Sequence, residues 1–356
     1  MSRYNRHIIL SDVGQEGQNK ISNAKVLVVG AGGLGCPILQ YLTAAGVGAI
    51  GVIDFDTVEE SNLQRQILFG TSSLKTNKAL AAKERLEDLN PTIEVHAYNE
   101  ALTPQNALKL FNDYDIIVDG TDNFETRYLI NDAAIITNKP IVYGAIYKFE
   151  GQVSVFNYKN GPSYRCLFPS PPKEGSVANC SEVGVLGVLP GIIGTLQANE
   201  VLKIILGFTG VLSGKLFCYN SKTSETYTLK IKKSDSEIDK VLSREEKFQT
   251  QEFNFNCSSK NASLKDLNKF ENIQFIDVRE FHEEPKVELN NCVQIPLHNL
   301  ISRIGEISTT KTIVIFCQSG IRSKTAVEIL EKHNILNSFS LIEGAAAIIE
   351  QLKTSL

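Results

Sequence analysis

No two cysteines of this chain are spaced C-x-x-C, tryptophan is absent, and methionine occurs once. No apolar run approaches the roughly 18 residues that crossing a bilayer needs, so no membrane span is expected. The first residues, MSRYNRHIIL, lack the apolar centre of a secretory leader. A net charge of -4 is too mild, and of the wrong sign, for nucleic acid to be the main partner. Seven cysteines, an odd and scattered set (Cys36, Cys166, Cys180, Cys218, Cys257, Cys292 and Cys317), give no disulfide framework and point to a reducing, cytoplasmic compartment. The missing Trp and the lone Met exclude nothing. The 356 residues leave room for two or three domains with real cores.

What is present centres on the stretch from Lys25 to Arg65. Val26–Val29 is a short β-branched run suited to a strand buried on both faces. Gly30, Gly32 and Gly35 follow as G-x-G-x-x-G, with Gly33 inside the turn, and residues 34–45 read as the next helix. Such glycines let backbone N–H groups approach a phosphate at a helix N-terminus. The run Ala49–Ile53 ends in Asp54, placed for a ribose-binding carboxylate, with Asp56 two residues on. To this point the pattern predicts a nucleotide site and fits an NAD-dependent dehydrogenase equally well.

The segment Ser61-Asn62-Leu63-Gln64-Arg65-Gln66 separates the two readings. A dehydrogenase leaves the pyrophosphate intact and needs no cation there. An enzyme that cleaves a triphosphate must offset charge developing on the departing phosphates. Arg65 suits that task, as does Lys78 on a predicted polar helix over Lys75–Leu89. Asp122, in Gly120-Thr121-Asp122-Asn123, ends another apolar run where it reaches the crevice outside the strand ends and is suited to Mg²⁺.

Together GAGGLG, DFD, SNLQRQ and GTDN resemble the MoeB/ThiF family, relatives of the ubiquitin-activating enzymes, over about residues 3–232. The resemblance implies a dimer that binds Mg·ATP. Gly33, Asp54, Ser61, Asn62 and Asn123 would hold the nucleotide, Asp122 the metal, and Arg6 of RYNRHI would reach the neighbouring subunit's ATP site. It further implies that Cys180, in the Gly- and Pro-rich segment 161–190, occupies the position of the crossover-loop cysteine that bonds to activated substrate. Relatives carry a structural zinc on two C-x-x-C pairs. Here Ser163 replaces the first cysteine of Ser163-Tyr164-Arg165-Cys166, and none stands near Lys232–Asp235. One thiolate cannot build that site, so no structural zinc is expected and Cys166 is read as a packed thiol.

Strands predicted at 26–29, 49–53, 93–97, 115–119 and 140–143 alternate with helices at 34–45, 75–89, 104–112 and 125–138. That alternation predicts an α/β, doubly wound, mostly parallel sheet. Residues 151–156, 216–219 and 226–231 predict an antiparallel extension on which a protein substrate docks. Arg127, opening a helix, reads either as a site residue or as part of a solvated face. Val188–Ile205 predicts a buried apolar helix with Glu200 and Lys203 marking its exposed side. The adenylyltransferase domain is assigned to residues 1–233. Residues 234–249, charged and poor in large apolar groups, read as a flexible linker spanning about 20–25 Å.

Residues 250–356 form a second α/β pattern, with strands at 275–280, 293–296 and 312–316 and a helix at about 323–333. The last of these strands runs into Cys317-Gln318-Ser319-Gly320-Ile321-Arg322-Ser323. Loop N–H groups, a helix dipole and Arg322 all favour an anion on the Cys317 sulfur. C-x-x-x-x-R with FIDVRE upstream resembles a single rhodanese domain. The loop is one residue shorter than that of tyrosine phosphatases and so fits sulfur transfer.

Joined, the two resemblances imply one reaction sequence. The C-terminal glycine of a small ubiquitin-like sulfur carrier ending in Gly-Gly is adenylated. A Cys317 persulfide, charged by an upstream donor such as a cysteine desulfurase, then delivers sulfur directly or through Cys180 to give a thiocarboxylate, as in molybdopterin or thiamine pathways. Two alternatives remain: an NAD-dependent oxidoreductase with a regulatory rhodanese tail, and a non-catalytic dimeric docking module.

Overall fold

A computed structural model describes residues 3–172, 184–250 and 261–349 apart from 271, 288, 319 and 346. The chain divides into two compact units at Phe253/Asn254.

In the first unit eight strands lie in the order β3-β2-β1-β4-β5-β6-β7-β8. β1 (Lys25–Val29), β2 (Ala49–Ile53), β3 (Glu94–Tyr98), β4 (Ile116–Asp119) and β5 (Ile141–Tyr147) run parallel. β6 (Glu150–Phe156), β7 (Lys215–Asn220) and β8 (Thr226–Lys230) extend the sheet antiparallel, as expected. Helices cover both faces. α3 (Gly35–Ala45), α4 (Lys78–Leu89) and a 19-residue helix, Val188–Leu206, share one apolar core with Val26, Val28, Ile50 and Val52. α5 (Pro104–Asp113) and α6 (Phe124–Ile136) pack on the other face around Leu27, Val29 and Ile117. Short helices α1 (Asn5–Ile8), α2 (Gly14–Asn23) and α7 (Tyr164–Leu167) complete the layers. The long helix, α8, is apolar enough to cross a bilayer by length and composition. Its Leu189, Ile193, Ala198 and Val201 are buried in the sheet's core, which accounts for that apolarity.

β1 lies between β2 and β4, so the order reverses there and opens a crevice beyond the strand ends. The glycine turn fits into it tightly. Gly30 has φ +94, and a Cβ on Gly35 would lie 2.0 Å from the Gly30 carbonyl oxygen. Only glycine at 35 lets α3 start against the strand it follows.

Three expectations are corrected. α4 begins at Lys78 instead of Lys75, because Lys75 adopts a left-handed φ of +66 and Asn77 caps the helix by accepting the Leu80 N–H at 3.1 Å. Glu200 does not mark an exposed side of α8. It is 3% exposed, accepts the Leu212 N–H at 2.8 Å and pairs with Lys203. Burial there is tolerated because the carboxylate is fully partnered. Finally, the stretch 234–249 is not a flexible coil. Asp235–Leu242 forms α9, and a 3₁₀ helix follows over Glu245–Thr250. Val241 and Phe248 are buried, Phe248 at 1% exposed in the α5/α6 core, so two apolar anchors hold an otherwise polar segment down.

The second unit is a five-stranded parallel sheet, β11-β10-β12-β13-β9. β9 is Asn261–Ala262, β10 Ile273–Asp277, β11 Cys292–Gln294, β12 Thr312–Phe316 and β13 Ser338–Leu341. β12 is buried on both faces: Ile313, Ile315 and then Cys317 enter one core, Val314 and Phe316 the other. α10 (Ile321–Lys332) follows the loop after β12.

Candidate functional site

A cavity of about 530 Å³ opens in the crevice of the first unit, within the usual range for small-ligand sites. The glycine turn supplies Gly30, Gly32 and Gly33, while Gly35 sits behind it in the first turn of α3. Asp54, Asp56, Ser61, Asn62, Arg65 and Gln66 line a second wall, with Lys78 beside them. Asp122, Asn123 and Arg127 come from the loop after β4 and the start of α6. Thus the cavity residues expected from sequence converge here except Gly35, which backs the turn, Arg6, which is exposed on α1, and Cys180, which lies outside the described residues.

The local bonds show what each group is free to do. Asp54 accepts the Ala31 N–H at 2.8 Å and the Asp56 N–H at 2.9 Å, which ties the end of β2 to the glycine turn. Burial pushes its carboxyl above the ordinary range, against those two bonds. Asn77 donates to the carbonyls of Asp54 and Asp56 at 2.9 and 3.0 Å, so the α4 cap also fixes this loop. Lys78, 7% exposed, pairs with Asp56 at 2.9 Å. Arg65 donates to the Ser61 carbonyl at 3.1 Å, leaving guanidinium donors facing the cavity. Asn123 accepts the Thr126 N–H at 2.8 Å and so caps α6. Asn62 accepts the Glu59 N–H at 3.1 Å in a short 3₁₀ turn.

Two buried polar atoms in the lining have no hydrogen-bond partner among the described residues: Gln66 Oε1 and Arg127 Nε, the latter 3.9 Å from the buried Asp119 carboxylate. Unpaired buried groups cost roughly 1–3 kcal/mol each, which a polar ligand would relieve. Arg127 is therefore a cavity residue and not part of a solvated face. It is 9% exposed, donates to the Thr121 carbonyl at 2.9 Å and lies over the Tyr143 ring. Phe55, Leu102 and Ile146 give the cavity an apolar portion that sequence reading did not mark. Cys36, in the turn's helix, is fully buried with its thiol pushed up to about 12, and is inert packing.

Cys166 is more than a packed thiol. Its sulfur accepts N–H bonds from Ser163 and Ser234, both at 3.3 Å. The two stretches compared above with zinc pairs therefore meet through a hydrogen-bonded thiol. Among the described residues no group of three or more His, Cys, Asp or Glu is arranged for a metal.

In the second unit Cys317 is 1% exposed at the end of β12, with Ser323 Oγ 3.7 Å from its sulfur. Gly320, at φ +81, turns the chain into α10. Arg322 lies in the first turn of that helix and bonds Glu283 through both terminal nitrogens, one at 2.7 Å. Arg279 is buried, paired with Asp277 at 2.8 Å and bonded to Gln318 of the loop at 3.3 Å.

These features define a nucleotide-binding α/β unit with cations beside its glycine turn, in one chain with a unit that presents a cysteine in a helix-opening loop. The chain belongs to the ThiF family, which it matches over residues 4–240, and a rhodanese-like domain matches residues 260–351. It is 50% identical to the sulfur carrier protein adenylyltransferase of Thermus thermophilus, covering 66% of this chain and 88% of that protein. It is 38% identical to the probable adenylyltransferase/sulfurtransferase MoeZ of Mycobacterium tuberculosis, covering 99% of this chain and 94% of the relative. Adenylyltransferase and sulfurtransferase MOCS3 of Xenopus laevis is 38% identical, over 92% and 81%. The first unit's fold is shared with Escherichia coli MccB solved with ATP, at a TM-score of 0.56 and 23% identity, over 65% of this chain and 72% of MccB.

Proposed function

We propose that this protein adenylates the C-terminal glycine of a small ubiquitin-like sulfur carrier with ATP and then replaces the adenylate with sulfur from Cys317. The observation that carries this reading is the convergence of Arg65 and Lys78 on the glycine turn, in a chain whose full-length relatives are named adenylyltransferase/sulfurtransferases. The family match gives the oxidoreductase alternative no support.

The carrier's terminal carboxylate attacks the α-phosphate of ATP. An acyl-adenylate forms and pyrophosphate leaves. Backbone N–H groups of the glycine turn and the cations Arg65 and Lys78 offset phosphate charge as the bond breaks. Lys78 exchanges Asp56 for phosphate in doing so. Asp122 is the residue that would hold Mg²⁺. One carboxylate suits that ion, which keeps several waters and takes phosphate oxygens as its remaining ligands. When bound, it would neutralise charge on the phosphates. Arg6 projects from α1 outside its own cavity, as a residue serving a second subunit of a homodimer would. The persulfide of Cys317 then attacks the acyl carbon, AMP leaves, and reduction of the resulting acyl disulfide by a thiol releases the thiocarboxylate. An upstream persulfide donor reloads Cys317.

Two measurements test the proposal together. Pyrophosphate should exchange into ATP only when a carrier ending in Gly-Gly is present. The carrier's intact mass should gain one sulfur for one oxygen when a sulfur donor and a thiol reductant are added. Exchange that ignores the carrier would overturn the adenylation step.

A further inference from the structure

A loop that stabilises an anion on sulfur gains from a free guanidinium beside it, and Arg322 is the residue placed to provide one. It stands five residues after Cys317, in the first turn of the helix that the cysteine loop opens. Yet the guanidinium is engaged. Its two terminal nitrogens donate to the two oxygens of Glu283, the fork geometry in which Arg takes a carboxylate or two oxygens of a tetrahedral oxyanion such as phosphate. The pair is sheltered, with side chains 25% and 21% exposed.

Glu283 is itself held in place. Its Oε1 accepts the Glu280 N–H at 2.8 Å, so a backbone bond also fixes the carboxylate that meets Arg322. Arg322 holds the Glu283 carboxyl down to about 2, so it stays ionised under any working condition. The second arginine bordering the loop is neutralised in the same way, since Arg279 takes Asp277 through Nε at 3.0 Å and Nη2 at 2.8 Å. Glu280, joined to His298 at 3.0 Å, adds another carboxylate nearby.

We infer that Glu283 is a specificity-determining residue for the loading of Cys317: its carboxylate occupies the face of Arg322 that an oxyanion sulfur donor would need. The inference rests on the sulfurtransferase reading above. Two loading routes differ in what they bring to this spot. With thiosulfate, the Cys317 thiolate attacks the sulfane sulfur, the S–S bond breaks, and sulfite departs with the electron pair. With a persulfide, the same attack breaks the donor's S–S bond, and a thiolate departs with the pair. Both leave a persulfide on Cys317, and neither needs an outside oxidant or reductant. Only the first places a sulfonate group beside Arg322, where it must displace Glu283 or sit against its charge. The protein therefore discriminates against thiosulfate and accepts donors whose leaving group is a thiolate.

The test uses the full chain and two donors, thiosulfate and glutathione persulfide, with transfer to cyanide as the readout. Glu283→Gln keeps the shape and one acceptor but removes the charge. The kcat/KM ratio of thiosulfate to glutathione persulfide should rise at least tenfold, mostly through a lower KM for thiosulfate. Persulfide turnover should stay within twofold. Glu283→Ala should shift the ratio in the same direction, and it serves if the first variant does not fold. An unchanged ratio in both variants, or an equal loss with both donors, makes Glu283 only a positioning residue for Arg322 and overturns the inference. Failure of the underlying reading looks different: Cys317→Ala would then still transfer sulfur from either donor.

Discussion

Among single residues, Lys78 shows how burial sharpens a charge. At 7% exposed, with one carboxylate partner at 2.9 Å, it meets any phosphate in a low-dielectric setting. Removing one such electrostatic stabiliser typically costs about 10²–10³ in kcat. We predict that loss for Lys78→Ala in carrier-dependent pyrophosphate exchange, with the melting temperature little changed because Asp56 remains solvated. Exchange within twofold of the parent would remove Lys78 from the chemistry. Glu283 makes a pH statement with a definite sign. Its carboxyl is lowered from the ordinary 4.5 to about 2 in the folded protein, by the Arg322 bond first. The stabilisation is therefore complete above about pH 4.5 and is lost as pH falls towards 2. Chemical unfolding across that window should show the parent's advantage over Glu283→Gln shrinking to nothing at the acid end.

For whole elements, capping and anchoring decide what pattern alone leaves open. Asn77 stops α4 from starting at Lys75 by accepting one N–H and donating to two carbonyls of the Asp54–Asp56 loop. Those two carbonyl bonds span more than twenty residues of sequence, so no local signal could place the cap. Asn77→Ala should cost about 1 kcal/mol of stability and weaken ATP binding, read by calorimetry, since the same side chain holds the loop carrying Asp56. β1, β2 and β4 were legible because each carries an apolar run buried on both faces, and the glycine turn because its spacing is a steric requirement. The segment 234–249 was not legible. Two apolar anchors in a charged stretch look like a linker until the groove that receives them is known. Phe248→Ala should destabilise the first unit by about 3–5 kcal/mol in denaturant unfolding. A change below 1 kcal/mol would return the segment to the status of a linker. Glu200 misled for a related reason: a carboxylate on an apolar helix implies solvent unless its partner, here the Leu212 N–H, is visible.

In the whole chain, two units with separate cores carry two half-reactions. Their meaning together was legible because each bears a motif whose spacing is chemical: cations after a glycine turn, and a cysteine five residues before an arginine. The path of Cys180 was not, since that residue lies outside the described chain. The reason for covalent fusion is kinetic. Joining two reacting groups on one chain gives each a local concentration of roughly millimolar for the other. Severing the chain at the division after Phe253, with both pieces supplied at about 1 µM, should leave carrier-dependent pyrophosphate exchange within twofold of the intact protein, because that step uses the first unit alone. Thiocarboxylate formation should fall by about two to three orders of magnitude and recover as the free second unit is raised towards millimolar. If sulfur transfer persists undiminished in the severed mixture, the persulfide is passed between separate molecules and the fusion serves some purpose other than proximity.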